Sequence, residues 1–166
     1  MRRAICTIAA TVMASGALVG AGSAVGATDA SKPCSYFTAT QMSKIVGVKM
    51  TSAQHNGASP MNVASCLYAG ASLPPRLVTV QVFSSAALAK IGQTPAVYFK
   101  YAKQGFTGVK TVAHLGVAAF TYGSLGTSYM VETKSSVLET LVTIGSTSAA
   151  KQAALKIATS VVSKLQ

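Results

Sequence analysis

The chain has 166 residues, of which 50% are hydrophobic and 10% are charged, and it carries 14 basic against 3 acidic side chains. The length is that of one domain of ordinary size. The basic excess favours anionic partners, such as an anionic envelope component, over cationic ones, although it is also typical of a surface that simply resists association.

The amino terminus has the pattern of an export signal. Two arginines precede an uncharged run over residues 4–28, and small residues at 25–27 fit the rule for signal-peptidase cleavage. We therefore predict a signal peptide over residues 1–27, cleaved before Thr28. An uncleaved anchor is the alternative, because the run is long enough to span a bilayer, but it is rich in Ala, Gly and Ser rather than Leu.

Cleavage defines the mature protein. Removing 27 of the 166 residues leaves 139, and removing Arg2 and Arg3 from the 14 basic residues leaves 12 against 3 acidic ones, a net charge of +9. Cys34 follows Ser-Lys-Pro rather than an apolar stretch, so we do not expect a lipoprotein. We expect a protein that is secreted or loosely held at the cell wall, with no membrane span after cleavage.

Cys34 and Cys66 are the two cysteines outside the signal peptide. Such a pair in an exported protein indicates a disulfide, and closing this loop stabilises a fold by roughly 3 to 4 kcal/mol. Neither cysteine has a CxxC partner or a histidine at ligand spacing, which disfavours redox catalysis and zinc binding. We expect residues 28–33 to form a short flexible tail and residues 34–166 to form a single domain.

The domain begins with a short helix. Thr38 and Gln41 fit a capping box at its start, and Gly47 fits a left-handed C-cap at its end. Strands are predicted next, at residues 48–53, 63–69 and 77–83. Turn-forming residues over 54–62 indicate a polar, exposed loop between the first two strands.

A broken helix follows the third strand. It begins at Ala86, is interrupted at Gly92, and restarts at Thr94, a cap residue followed by proline, to end at Gly105. The face predicted to be buried comprises Val97, Tyr98, Tyr101 and Ala102.

The aromatic residues of this segment have two interpretations. They either fill the core between helix and sheet, or line an apolar groove that holds a lipid-like ligand or a partner's side chain. The groove residues in the second interpretation are Tyr98, Phe99, Tyr101 and Phe106.

The rest of the chain consists of strands and a last helix. The strands are predicted at residues 109–113, 118–122, 128–133 and 137–144. The connections between them are short, which favours antiparallel neighbours. The last helix begins after residues 145–148, and its apolar face comprises Ala154, Ile157, Ala158, Val161, Val162 and Leu165. We therefore predict an α+β fold: a mainly antiparallel β-sheet with helices packed on it, including this amphipathic C-terminal helix.

Several of these elements resemble a known family. The sequence Ile45-Val46-Gly47 after the Thr38 cap, Cys66-Leu67-Tyr68 leading into a strand, and His114-Leu115-Gly116-Val117-Ala118-Ala119 are similar to a large group of actinobacterial secreted proteins and lipoproteins of unknown function. The resemblance covers most of residues 34–165. It implies a PsbP-like sandwich with the two cysteines bridged, a location at the cell envelope, and no established chemistry. The chain lacks the lipidated cysteine that many members carry.

The residues able to support catalysis are few. Glu132 and Glu139 either face each other across a hairpin or, as we favour, point to solvent and pair with lysines. His55 is expected in a polar loop and His114 at a turn, each without a partner at metal-ligand spacing. The chain has no Gly-x-Ser-x-Gly elbow and no glycine-rich phosphate cradle followed by a helix.

These patterns favour a binding protein over an enzyme. We predict a secreted, non-enzymatic module of the envelope, without catalytic, cofactor or metal residues, whose ligand is a lipid-like small molecule, a wall polymer or a protein. The alternative is a small hydrolase whose site is assembled from Ser, His and Glu side chains. Nucleic acid is disfavoured, because the stacking and helix-in-groove signatures of its binding domains are absent.

Overall fold

The computed structural model of the protein describes residues 32–56, 63–71, 76–123, 127–144 and 147–166. The predicted signal peptide, residues 28–31 of the predicted tail and most of the predicted loop at 54–62 lie outside these ranges, as do parts of three predicted turns.

The described residues form a 3-10 helix (Pro33–Ser35), four α-helices and seven strands. The helices are α1 (Ala39–Val46), α2 (Ser85–Ala89), α3 (Pro95–Gly105) and α4 (Thr147–Leu165). The strands are β1 (Met50–Asn56), β2 (Ala64–Gly70), β3 (Leu77–Ser84), β4 (Lys110–Val112), β5 (Ala118–Tyr122), β6 (Thr127–Glu132) and β7 (Ser136–Thr143). The predicted α+β class is confirmed, including the C-terminal helix.

All these strands belong to one antiparallel sheet in the order β1-β2-β3-β7-β6-β5-β4. Two meanders build it: β1 to β3, and β4 to β7. Helices α2 and α3 connect the meanders and allow β7 to pair along the whole of β3. Strand β7 is therefore the central strand, with three strands on either side.

One face of the sheet carries the larger core. Helix α4 lies across β6 and β7, with α1 beside it and against β1. The predicted apolar face of α4 is fully buried here, against alternate residues of the central strands such as Val80 and Leu138. Each fully buried Val, Leu or Ile side chain stabilises the fold by about 1.5–3 kcal/mol, so this layer contributes substantially to stability.

The amino-terminal segment is anchored to this core. The predicted Cys34–Cys66 disulfide is confirmed, with the two Cα atoms 5.0 Å apart. The buried hydroxyl of Tyr68 donates to the carbonyl of Phe37 at 2.9 Å, and burial raises the pKa of Tyr68 to about 12. Lys164 of α4 donates to the carbonyl of Tyr36 at 2.9 Å.

The local helix signals are confirmed at three termini. Thr38 and Gln41 form both bonds of the capping box, and Gly47 adopts a left-handed φ of 70°. Thr94 accepts from the amide of Val97, with Pro95 at the first position of α3.

One prediction in this region is wrong. Residues 54–56 belong to β1 rather than to a polar loop, since they pair with β2 as far as Ser65. His55 therefore lies on an edge strand, where its side chain is exposed.

Candidate functional site

The second face of the sheet carries helices α2 and α3 and a smaller core that is rich in aromatic residues. Along β7, Leu138, Thr140 and Val142 point to the α4 side and are buried. The intervening residue Glu139 points to the α3 side, where it pairs across the sheet with Gln81 on β3 and Met130 on β6. A carboxylate thus lies at the middle of the central strand, beneath a helix.

A cleft opens above Glu139, between α3 and the sheet. Its volume is about 290 Å³, at the lower end of the range of roughly 300–1,000 Å³ for small-molecule pockets. The described residues that line it are Gln93, Tyr98, Tyr101, Ala102, Gly105, Phe106, Met130 and Glu139. This lining is mainly apolar and contains no lysine or arginine, in a chain that has 14.

Aromatic contacts hold the walls of this cleft. The ring of Phe106 stacks on Tyr122 with centroids 3.8 Å apart, and Tyr98 lies 4.7 Å from Phe83. Contacts of this kind stabilise a structure beyond the area they bury. They keep the helix at a distance from the sheet that leaves space between Tyr98 and Phe106.

Glu139 is the ionisable group at the floor of the cleft. It is half-buried, and burial raises the pKa of its carboxyl above the ordinary value, although a hydrogen bond from the Tyr122 hydroxyl acts in the opposite direction. Tyr122 and Tyr98 are themselves partly buried, and this burial, together with the negative charge of Glu139, raises the pKa values of both hydroxyls. No lysine or arginine of the described residues forms an ion pair with Glu139. Such a carboxylate reduces stability when it is charged.

A second acceptor lies at the entrance to α3. Gln93 is half-buried in the loop between α2 and α3, where its backbone N–H donates to the carbonyl of Leu88 at 3.0 Å. Its side-chain oxygen Oε1 is buried and has no hydrogen-bond partner in the part of the chain that the structure describes. Unsatisfied buried polar atoms are uncommon in folded proteins, and the residue that carries this one is among those that line the cleft.

The four residues predicted to form a groove are placed in two environments. Tyr98, Tyr101 and Phe106 line the cleft, whereas Phe99 is buried on the core side of α3, with its ring 5.0 Å from Phe120. The cleft also includes Glu139 and Gln93, which the sequence patterns did not place there.

The buried face of α3 differs from the predicted one by a rotation of about one residue. Val97 and Tyr101 are 40% and 60% exposed, whereas Phe99 is only 7% exposed. One residue corresponds to about 100° of rotation around a helix. The helix turns Phe99 inward because the large Phe120 side chain of the sheet packs against it, and this turn exposes Tyr101 at the mouth of the cleft.

The remaining candidate residues are dispersed. His55 lies on edge strand β1 and His114 lies beyond β4 at the opposite edge, which at about 4.8 Å per strand separates them by roughly 25–30 Å. Both side chains are exposed, and neither lines the cleft. Glu132 pairs with Val137 rather than with Glu139.

Neither interpretation of the two glutamates describes Glu139. The two glutamates do not face each other across the hairpin, and Glu139 is bonded by a tyrosine instead of being a solvent-facing partner of a lysine. Within the described ranges, no three His, Cys, Asp or Glu side chains group in a way that could hold a metal ion. No helix in those ranges is long and apolar enough to cross a bilayer.

Two other depressions have larger volumes than the cleft. One of about 470 Å³ lies beside α1 and is lined in part by Lys44 and Lys49; another of about 510 Å³ lies between Val117, Lys134 and the C-terminal residues. Neither has an acidic or an aromatic side chain among its described lining residues. The cleft above Glu139, with its half-buried ionisable group, is therefore the stronger candidate for a functional site.

Comparisons with known proteins add no relative. No protein-family model, curated protein or solved structure matches the chain. The resemblance to the actinobacterial family therefore stays a prediction. The geometry and chemistry of the cleft are the basis for inferring a function.

A sequence signal for Glu139 exists, although it is weak. Apart from Glu139, the run Val137-Leu138-Glu139-Thr140-Leu141-Val142 contains no charged residue. A charge within a central strand is unusual, because both faces of such a strand are covered. The sequence does not reveal that α3 would cover this position, or that Tyr122 would donate to it.

Proposed function

We propose that the protein is an exported, non-enzymatic binding module of the cell envelope that holds a small, largely apolar ligand in the cleft between α3 and the sheet. The observation that carries the proposal is Glu139: a half-buried carboxylate without a cationic partner among the described residues, surrounded by aromatic side chains. Residues that reduce stability in this way are typical of functional sites.

The shape and lining of the cleft support a small ligand. A volume of about 290 Å³ suits a molecule of modest size, and the aromatic walls provide an apolar surface for it. The carboxylate of Glu139 lies in the same cleft, so it can orient a ligand that carries a polar group.

Export and location at the envelope rest on the sequence. The signal-peptide pattern of residues 1–27 and the disulfide between Cys34 and Cys66 both suit an oxidising compartment outside the cytoplasm. The resemblance to secreted actinobacterial proteins supports the same location.

The hydrolase alternative receives no support from the placement of its residues. General acid–base catalysis requires the participating groups within hydrogen-bond reach of one another or of a bound substrate. His55 and His114 lie at opposite edges of the sheet, and the Glu139 cleft contains neither.

A cleft-filling variant tests the proposal. Gly105 lines the cleft, and a Cβ atom placed there would meet no atom within 4 Å, so Gly105→Leu is expected to fill the space without a clash. Gln104→Leu adds the same side chain at the exposed neighbouring residue and is the matched control.

Native mass spectrometry of protein purified from the host's culture supernatant provides the measurement. We expect wild type and Gln104→Leu to retain a small molecule that is absent after denaturation, and Gly105→Leu to lose it. A ligand that stays bound to Gly105→Leu, or bare protein in all three samples, would contradict binding in this cleft.

A further inference from the structure

Glu139 and Gln93, two of the residues that line the cleft, carry hydrogen-bond acceptor oxygens. One oxygen of Glu139, Oε1, receives the Tyr122 hydroxyl. No second donor to this carboxylate is found among the described residues. At the loop before α3, the buried Oε1 of Gln93 also has no donor in the described part of the chain.

The walls of the cleft share one property. Tyr98, Tyr101 and Phe106 present aromatic rings to the same space as Glu139. The face of an aromatic ring carries negative electrostatic potential and attracts cations, most strongly where water is excluded. Aromatic rings beside a carboxylate therefore favour positive charge, and no lysine or arginine among the described lining residues provides it.

Building on the proposed function, we infer that the ligand is an organic ammonium compound: a primary or substituted amine with an apolar body. The ammonium group donates to Glu139 and the apolar body lies against Tyr98 and Phe106.

Such a ligand places a positive charge beside the negative charge of Glu139. An ammonium group beside Glu139 favours its ionised form, since an opposite charge at close range lowers the pKa of a carboxyl group. A neutral apolar ligand would instead remove water from the carboxylate without replacing it, and an anion would be repelled. The general positive charge of the protein works against cations at long range, so discrimination has to come from these short-range contacts.

The inference includes a pH dependence. The side chains that face Glu139 from the elements around it are Gln81 of β3, Met130 of β6, Tyr122 of β5 and Tyr98 of α3. The tyrosines among them have pKa values raised above their ordinary value of 10.0, so they stay neutral through the acid range. Affinity for the amine should therefore rise with pH as Glu139 loses its proton.

The experiment uses three probes with similar skeletons and different charges: 2-phenylethylamine, 2-phenylethanol and 3-phenylpropanoate. Binding to the mature, disulfide-bonded protein is followed by tyrosine fluorescence, which is not obscured because the chain contains no tryptophan. We expect the amine to bind wild type roughly tenfold more tightly than the alcohol, with the anion weakest.

Variants separate this inference from the proposed function. Glu139→Gln should reduce the affinity for the amine to about that for the alcohol, and Gln104→Leu should leave the order of the probes unchanged. Gly105→Leu should abolish binding of all three.

The outcomes then point to different conclusions. Equal binding of amine and alcohol to wild type, lost in Gly105→Leu, would overturn the ammonium inference while supporting an apolar ligand in the cleft. If no probe binds wild type, or if Gly105→Leu binds them as wild type does, both the inference and the proposed site are wrong.

Discussion

The phenol of Tyr122 on β5 donates a hydrogen bond to the carboxylate of Glu139 on β7, across the intervening strand β6. Ser128 on β6 lies opposite Tyr122, so polar residues of three neighbouring strands lie close together beneath α3. The bond from Tyr122 is the structural support of the candidate site, because it holds the carboxylate at the floor of the cleft.

Removing the Tyr122 hydroxyl should weaken this support. In Tyr122→Phe the carboxylate loses its donor, which we expect to raise the pKa of Glu139 further and to destabilise the protein by about 1–2 kcal/mol at neutral pH. Urea denaturation measures the loss, with Tyr101→Phe as the control, since the Tyr101 side chain is 60% exposed. Equal stability of the two variants would show that the Tyr122 bond contributes nothing.

Glu139→Gln should stabilise the protein at neutral pH. Burial raises the folded-state pKa of this carboxyl above its ordinary value of 4.5, so the native state binds the proton more tightly than the unfolded state does. Stability from this group is therefore present at low pH and is lost as pH rises from the ordinary pKa through the raised one. The amide introduced by the substitution keeps an acceptor for Tyr122 but carries no charge.

The comparison is a thermal-unfolding series from acid to neutral pH. The melting temperature of Glu139→Gln should exceed that of wild type at neutral pH, and the difference should shrink as the pH falls toward the ordinary pKa. Glu132→Gln serves as the control, because it makes the same change on the neighbouring strand at a residue outside the cleft lining. A constant difference at all pH values would contradict a raised pKa for Glu139.

The disulfide should account for a large part of the stability. It closes a loop between residues 32 positions apart, for which the chain-entropy model gives about 3–4 kcal/mol. We expect the Cys34→Ser, Cys66→Ser double variant to lose this amount in equilibrium unfolding. Wild type treated with a reductant should unfold at the same denaturant concentration as that variant, and a reduced protein as stable as the oxidised one would refute the assignment.

Gly116 should tolerate no side chain. It has φ of +65°, and a Cβ atom there would lie 2.4 Å from the carbonyl oxygen of Glu132 and 2.6 Å from a methyl carbon of Val131. Gly108 has nearly the same φ, +66°, but open space around it. A side chain at Gly108 therefore costs only the free energy of a left-handed backbone, about 1–2 kcal/mol.

The comparison of the two alanine variants isolates the steric contribution. We expect Gly116→Ala to be destabilised by roughly 2 kcal/mol more than Gly108→Ala in urea denaturation. Similar losses in both variants would mean that the backbone next to Glu132 moves aside at little cost.

Local signals in the sequence predict much of the fold. The caps at Thr38 and Thr94 and the left-handed Gly47 depend on residues three or four positions apart, and the strand at 77–83 depends on its own β-branched side chains. These features succeed because the interactions that decide them lie within one or two turns of the chain. The prediction at residues 54–56 is wrong because pairing with β2 outweighs local turn preferences.

The candidate site can be predicted only in part. Tyr98, Tyr101 and Phe106 are recognisable as a dense aromatic cluster, but the rotation of α3 that buries Phe99 and exposes Tyr101 depends on Phe120, which lies more than 20 residues away from Phe99 along the chain. The expectation of a solvent-facing Glu139 is wrong because nothing in its neighbourhood of the sequence indicates a covering helix.

The sequence by itself determined most of the local elements, their antiparallel connections and the pairing of the cysteines, because each follows from short-range patterning or from the number of residues available. Only the tertiary structure decided that β7 lies between β3 and β6, that α3 covers Glu139, and that Tyr122 reaches it from β5. These relationships depend on contacts between residues distant along the chain. Packing, and not local propensity, selects among the possible arrangements of such residues.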